Sequence, residues 1–240
     1  MDFVPGLVVR TVEDAALVPL DVRRRMGIAL VEVLARLHDV DLETVGLSDL
    51  GRHDGYVERQ LKRWRIQFER STTRDLPQVL AAHEMLAARI PAQQGAGIVH
   101  GDYRLDNCVM SVGGEVAAVL DWELCTTGDV LADVAGMVAY ADSRATGGQL
   151  PPTSVEGFPN ADEVRTLYEA HGTRDLAELD YYLAFAYWRI ACIVEGVYSR
   201  YAAGVMGDQD DPRLVAAFGQ RVVDLADLAH EMASQLPTGA

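Results

Sequence analysis

His100-Gly101-Asp102-Tyr103-Arg104-Leu105-Asp106-Asn107, followed by Cys108 to Val112, Gly113-Gly114 and Val116 to Leu120, is the stretch on which the fold turns. Two short apolar runs about a glycine pair predict a β-hairpin. A hairpin returns its second end to its first. Asn107 at the entry and Asp121 at the exit are therefore expected to be neighbours, although they lie fourteen positions apart. Oxygen ligands paired in this way suit Mg²⁺, which takes one or two protein oxygens and completes its shell with phosphates and water. Asp102, five residues before Asn107, is placed to face the same point. A carboxylate there can orient a hydroxyl and take its proton.

Outward from the hairpin the pattern is helical. Asp129 is placed to cap a helix from Val130 to Tyr140, and Ile98-Val99 reads as a short strand leading into the polar loop. Upstream, Met1 to Val9 is an apolar stretch broken by Pro5-Gly6. Asp21 begins a helix to about Leu37, with Met26, Leu30, Val33, Leu34 and Leu37 on its apolar face. Further helices are expected from Tyr56 to about Glu69, and from Asp75-Pro77 to before Pro91. Downstream, residues 141–160 hold Gly147-Gly148, Pro151-Pro152 and Pro159 and read as a loop. Asn160 and Glu163 have capping-box spacing, with Gly172 as the stop. Asp175 to Ala203 reads as a long helix, and Asp211-Pro212 opens the last. The expected class is α+β, predominantly helical, with one small hairpin.

At 240 residues the chain can form one large domain or two small ones. A net charge of −15 disfavours nucleic acid and anionic membrane surfaces as partners. No apolar run reaches the ~18 residues that a membrane span needs. Cys108, Cys125 and Cys192 form no CxxC pair, which fits a reducing cytoplasm and no zinc site. Lys62 is the single lysine.

Three blocks in this order carry a family resemblance: His100 to Asn107, then Leu120-Asp121-Trp122-Glu123-Leu124, then Gly128-Asp129-Val130-Leu131-Ala132-Asp133-Val134-Ala135. Together they resemble the aminoglycoside phosphotransferase and choline kinase-like superfamily. Within it, the wording is most similar to the phosphotransferase-like domain associated with acyl-CoA dehydrogenases. The resemblance implies an ATP- and Mg²⁺-dependent transfer of the γ-phosphoryl group to a small-molecule hydroxyl. A hydroxyacyl thioester, an aminoglycoside-like alcohol or a choline-like alcohol would serve as acceptor. It implies Asp102 as catalytic base, Asn107 and Asp121 as metal ligands, and Arg104 as a phosphate contact. His100 and Asp129 would be supports, and Asp133 would hold the catalytic-loop backbone from its helix. Asp121-Trp122-Glu123 stands where protein kinases have DFG, which keeps the metal site without the DFG switch.

A kinase-like fold carries a smaller lobe with a glycine-rich loop and a strand lysine. Neither is visible ahead of Asp102, and Lys62 lies in the helical stretch Gln60-Leu61-Lys62-Arg63-Trp64. The start of the chain resembles the hinge between the lobes. Residues 1–9 are thus expected to be a hinge remnant, with Phe3 and Val4 beside the nucleotide, and residues 10–240 a C-terminal lobe. That expectation carries three others: impaired catalysis by this chain alone, a non-catalytic remnant or ligand-binding module as the alternative, and a homodimer through an exposed hinge face.

Bland readings compete at several positions. Arg104 could form only a surface salt bridge, with Glu123 as its partner. Trp122 and Glu123 beside the metal aspartate could touch substrate. Glu195, Tyr198 and Arg200 could line an acceptor pocket or simply be a solvated helix face. Arg59, Lys62, Arg63 and Arg65 make a basic patch that could serve an anionic acceptor or be an exposed face.

Overall fold

A computed structural model describes residues 3–142, 150–205 and 212–237. It divides into two compact units. Part of the expected 141–160 loop, including Gly147-Gly148, lies outside the described residues, as does Asp211.

The first unit takes residues 3–54, 93–142 and 150–177. It holds helices α1 (Val12–Ala16), α2 (Leu20–His38), α5 (Leu131–Ala141) and α6 (Ala161–His171). It also holds strands β1 (Gly97–Val99), β2 (Cys108–Met110), β3 (Val116–Val119) and β4 (Thr126–Gly128). The expected hairpin is present as β2 and β3, with Cys108 opposite Val119. Leu7 extends it on the other edge of β2, exchanging two 2.7 Å hydrogen bonds with Met110. Gly114 has φ +98°, and a Cβ there would stand 3.0 Å from the Val22 carbonyl oxygen. The turn thus seats its backbone on α2, which a side chain would prevent. In a second ladder β1, expected from Ile98-Val99, pairs with β4, which was not legible as strand because it is only three residues long.

Helix α2 buries Met26, Gly27, Leu30, Val31, Leu34, Ala35 and His38, a stripe with helical spacing. Val33 and Leu37 sit at its margin. Pro19 rather than Asp21 is the N-cap, and Asp21 pairs with Arg25 at 2.9 Å. Helix α1 was missed, although Thr11 and Asp14 form a reciprocal capping box. The Asn160–Glu163 box and the Gly172 cap of α6 are where the spacing placed them.

The second unit takes residues 55–92, 178–205 and 212–237 and, among the described residues, is helical. Its elements are α3 (Tyr56–Ser71), α4 (Pro77–Ala87), α7 (Leu179–Ala202) and α8 (Pro212–Gln235). Helix α7 begins at Leu179, not near Asp175, which instead accepts from the Ala177 N–H in the preceding turn. Tyr181, Tyr182, Phe185, Trp188 and Ile190 bury it on all sides, as befits a central helix. The polar tips are satisfied: Trp188 Nε1 donates to the Val79 carbonyl and the Tyr181 hydroxyl to that of Leu86, each at 2.9 Å. No helix among the described residues is long and apolar enough to cross a membrane.

Glu195 of α7 is fully buried, which corrects its reading as part of a solvated face. Its carboxylate accepts from Arg74 Nη2 at 2.8 Å, Arg74 Nε at 3.1 Å and Thr72 Oγ1 at 3.0 Å. Arg74 also lies 4.1 Å over the Tyr198 ring and donates to the Gly219 carbonyl at 3.0 Å. Removing one partner of a buried pair leaves the other uncompensated. Glu195→Ala is therefore expected to cost about 3–5 kcal/mol, read from the shift in urea midpoint.

Candidate active site

Strand β1 delivers the chain into the loop at His100. Gly101 has φ +87°, and a Cβ there would stand 3.0 Å from Leu124 Cβ. The turn is held from α5. Asp133 accepts from the His100 N–H at 2.6 Å and from the Gly101 N–H at 2.8 Å. The His100 ring then works on both of its sides. Its Nδ1 faces the Asp102 N–H at 3.3 Å, and its Nε2 lies 2.8 Å from the Leu120 carbonyl oxygen. A backbone N–H can only donate, so Nδ1 accepts and the ring proton sits on Nε2. His100 is thereby a neutral brace between the loop and the end of β3.

Leu120 is held from both directions, because its own N–H donates to the Asn107 carbonyl at 2.8 Å. Asp121 follows with φ 62° and ψ 58°. It is the one non-glycine residue with positive φ among the described residues. That conformation costs on the order of 1 kcal/mol or more and persists where surrounding contacts enforce it. The clamp on Leu120 supplies such contacts.

The entry and exit of the hairpin meet as the spacing required. Asn107 Nδ2 donates to Asp102 Oδ2 and to the Asp102 carbonyl, each at 2.9 Å. Both bonds use the amide nitrogen, which leaves Asn107 Oδ1 as an acceptor with no protein donor among the described residues. The exposed Asp121 carboxylate has none either. Two such oxygens fit Mg²⁺, which relies on few protein ligands. No group of three or more His, Cys, Asp or Glu suited to a metal occurs among the described residues, so an all-protein cage is not what these residues offer.

Arg104 pairs with Asp106 through Nη2 at 2.6 Å, not with Glu123. Its Nε is 3.7 Å from Asp102 Oδ2, and its guanidinium lies 5.0 Å from the Tyr140 ring centroid. Burial pushes the Asp106 carboxyl above its ordinary pKa, against the opposing pull of Arg104. The pair leaves Arg104 adjacent to Asp102 with its position fixed.

Two supports escaped the sequence reading. Tyr103 is buried and its hydroxyl donates to the Leu30 carbonyl of α2 at 2.9 Å. His38, the last residue of α2, is fully buried. Its Nδ1 is 2.7 Å from the Tyr168 hydroxyl and its Nε2 3.6 Å from Asp133 Oδ2. At 3.6 Å the second contact is electrostatic rather than a hydrogen bond, so the His100 and Gly101 N–H groups are the firm anchors of Asp133. Burial by itself would raise the Asp133 carboxyl; the His38 ring and the two peptide donors outweigh it and hold the carboxyl below the usual range. The signal for His38 was its position four residues past Leu34 on the buried stripe.

Asp129 is buried and accepts from the Leu131 N–H at 3.3 Å, at the start of α5. Trp122 packs on His100 with centroids 4.8 Å apart and donates to the Val119 carbonyl at 2.9 Å; Glu123 beside it is exposed. Phe3 and Val4 are exposed on the segment leading to Leu7. Glu195, Tyr198 and Arg200 belong to the second unit, where Glu195 and Tyr198 are engaged by Arg74 and Arg200 is exposed.

Residues 1–171 match the model of the phosphotransferase enzyme family, APH. Acyl-CoA dehydrogenase family member 10 of Mus musculus is 32% identical over 244 residues, covering 98% of this chain and 22% of that protein. Acyl-CoA dehydrogenase family member 11 of Gallus gallus is 32% identical over 247 residues, covering 98% and 31%. The chain thus spans less than a third of the length of these relatives. A crystal structure from Ralstonia eutropha, of a protein named for the aminoglycoside phosphotransferases, superposes with a TM-score of 0.86 at 29% identity, over 99% of this chain and 73% of that one. Choline kinase from Cryptosporidium parvum shares the fold, with a TM-score of 0.60 at 10% identity, over 97% and 70%. With its family model matched over residues 1–171, the chain belongs to the phosphotransferase enzyme family.

Proposed function

We propose that this chain carries the catalytic half-site for transfer of the γ-phosphoryl group of ATP to the hydroxyl of a small molecule. The observation that carries this reading is the Asp102–Asn107–Asp121 arrangement. One amide bond orients the base, and the remaining amide oxygen and the exposed carboxylate of Asp121, next in sequence to the Leu120 that bonds the Asn107 backbone, have no protein donor among the described residues. Asp102 Oδ2 is held by Asn107, so Oδ1 is the oxygen available to a substrate hydroxyl. As that hydroxyl attacks the γ-phosphorus, its proton passes to Asp102, the new P–O bond forms and the bond to the β-phosphate oxygen breaks, releasing ADP. Mg²⁺ held by Asn107 Oδ1 and Asp121 would supply neutralisation of the nucleotide phosphates. Arg104 adds a fixed positive charge next to the base, where a transferring phosphoryl group carries negative charge. Phe3 and Val4 would lie against the base of the nucleotide as part of a hinge. The acceptor reading favours a hydroxyacyl thioester over aminoglycoside-like or choline-like alcohols, because the curated relatives carry acyl-CoA dehydrogenase names.

Calorimetric titration of the chain with ATP, with and without Mg²⁺, tests the metal assignment. Binding is expected to require Mg²⁺. Asp121→Asn is expected to weaken the Mg²⁺-dependent part by at least the ~10–100-fold that outer-shell changes at metal sites cost. Equal ATP binding in EDTA, or an Asp121→Asn protein that binds as the parent does, would remove the metal role from these residues.

A further inference from the structure

Many described arginines are engaged by a carboxylate or a carbonyl. Arg65 pairs with Glu69 at 2.7 Å, Arg74 with Glu195, and Arg24 with Glu163 at 2.9 Å. Arg63 and Arg70 of α3 are different. Neither has an ion-pair or hydrogen-bond partner among the described residues, although the chain as a whole carries −15. Arg63 only leans on its neighbour Trp64, 5.4 Å from the ring centroid. Seven residues apart, the two arginines share one face of the helix about 10 Å from each other along its axis. Between them, Ile66, Gln67 and Ser71 line a groove of about 500 Å³.

A third unpaired cation comes from α7. A Cβ on Gly196 would stand in ordinary contact with both helices' polar groups, 3.9 Å from Ser71 Oγ of α3 and 3.9 Å from Arg200 Nη1. Ser71 Oγ gives its proton to the Gln67 carbonyl at 2.9 Å, so it donates nothing further to a ligand. The cationic donors at this end are therefore arginines alone. In a protein this acidic, an unpaired surface cation is normally neutralised by a neighbouring carboxylate. Two left open on one groove with an isoleucine in its wall, and Arg200 close to the same Gly196 position as the groove's Ser71, make a site of opposite sign to the rest of the chain. Guanidinium groups bind phosphate oxygens through parallel donors, and their spacing here suits two phosphates better than one.

We infer that Arg63, Arg70 and Arg200 form an anion site in the second unit for a small molecule bearing a diphosphate or two nearby phosphate groups. The negative charge of the chain as a whole argues against nucleic acid or a membrane as the occupant.

Inorganic pyrophosphate is the probe, titrated calorimetrically into the full chain in EDTA so that no metal-dependent binding contributes. The parent is expected to bind it with an affinity that falls as salt rises. Arg63→Glu/Arg70→Glu is expected to bind about tenfold more weakly or worse. Arg24→Glu/Arg36→Glu reverses the same charge in the other unit and is expected to bind as the parent does, with circular dichroism confirming that both variants are folded. The inference is overturned if the two double variants bind pyrophosphate alike, or if the parent does not bind it at all. It is also overturned if the groove selects phosphatidylserine vesicles or single-stranded DNA over pyrophosphate.

Discussion

Asp102→Asn is expected to lower phosphoryl transfer by about 10²–10⁴-fold while leaving the fold and Mg²⁺-ATP binding intact. The substitution is nearly isosteric, and its amide oxygen can still accept from Asn107 Nδ2, which holds Asp102 at 2.9 Å. The Asp102 N–H and carbonyl, bonded to His100 and Asn107, are backbone groups and remain in place. What disappears is the proton acceptor. An amide cannot take a proton at neutral pH, so the attacking hydroxyl must lose its own to water. ADP release measured against a panel of a hydroxyacyl thioester, kanamycin and choline reads the effect, with calorimetry reading ATP affinity in parallel. A tenth of parental rate or more with an active acceptor would show that Asp102 is not the base. A rate loss matched by lost ATP affinity would assign it to binding instead.

The hairpin and its two polar ends were legible because a glycine turn between apolar runs fixes register locally, and register brings Asn107 to Leu120 and hence to Asp121. The helix boundaries set by chemistry were legible too: Asn160 with Glu163, and Gly172. The rest depended on contacts between residues far apart in sequence. The β1–β4 ladder joins three-residue segments that carry no periodic signal. Arg104 has Asp102 and Asp106 two positions away on either side and Glu123 further along the chain, and only the fold decides that Asp106 takes its guanidinium and Glu123 does not. Glu195 reads as one more charge on a helix, and its burial is set by Arg74 from 121 positions away. His38 and Tyr103 act through a ring and a hydroxyl on partners that no spacing rule connects.

Asp133→Ala is the second large effect, and it separates support of the loop from chemistry within it. The carboxylate is fully buried and holds two backbone N–H groups at 2.6 and 2.8 Å. Alanine leaves both donors without an acceptor in a dry interior and removes the charge facing His38 Nε2, and each unsatisfied group costs about 1–3 kcal/mol. A total loss of about 3–5 kcal/mol is expected, read by urea unfolding. The pH dependence identifies the charged species. The folded-state pKa of Asp133 lies below its unfolded value of 3.8, so the unfolded chain binds the proton more readily. Its contribution is thus fully present above pH 3.8 and is lost as pH falls through the folded value. Asp133→Asn lacks that titration. The stability gap between parent and Asp133→Asn is therefore expected to be constant near neutrality and to narrow as pH drops below 3.8. Other carboxylates held low, such as Asp14 and Glu163, titrate in both proteins and cancel in the difference. A gap that does not change with pH would mean that the shape of Asp133, rather than its charge, positions His100 and Gly101.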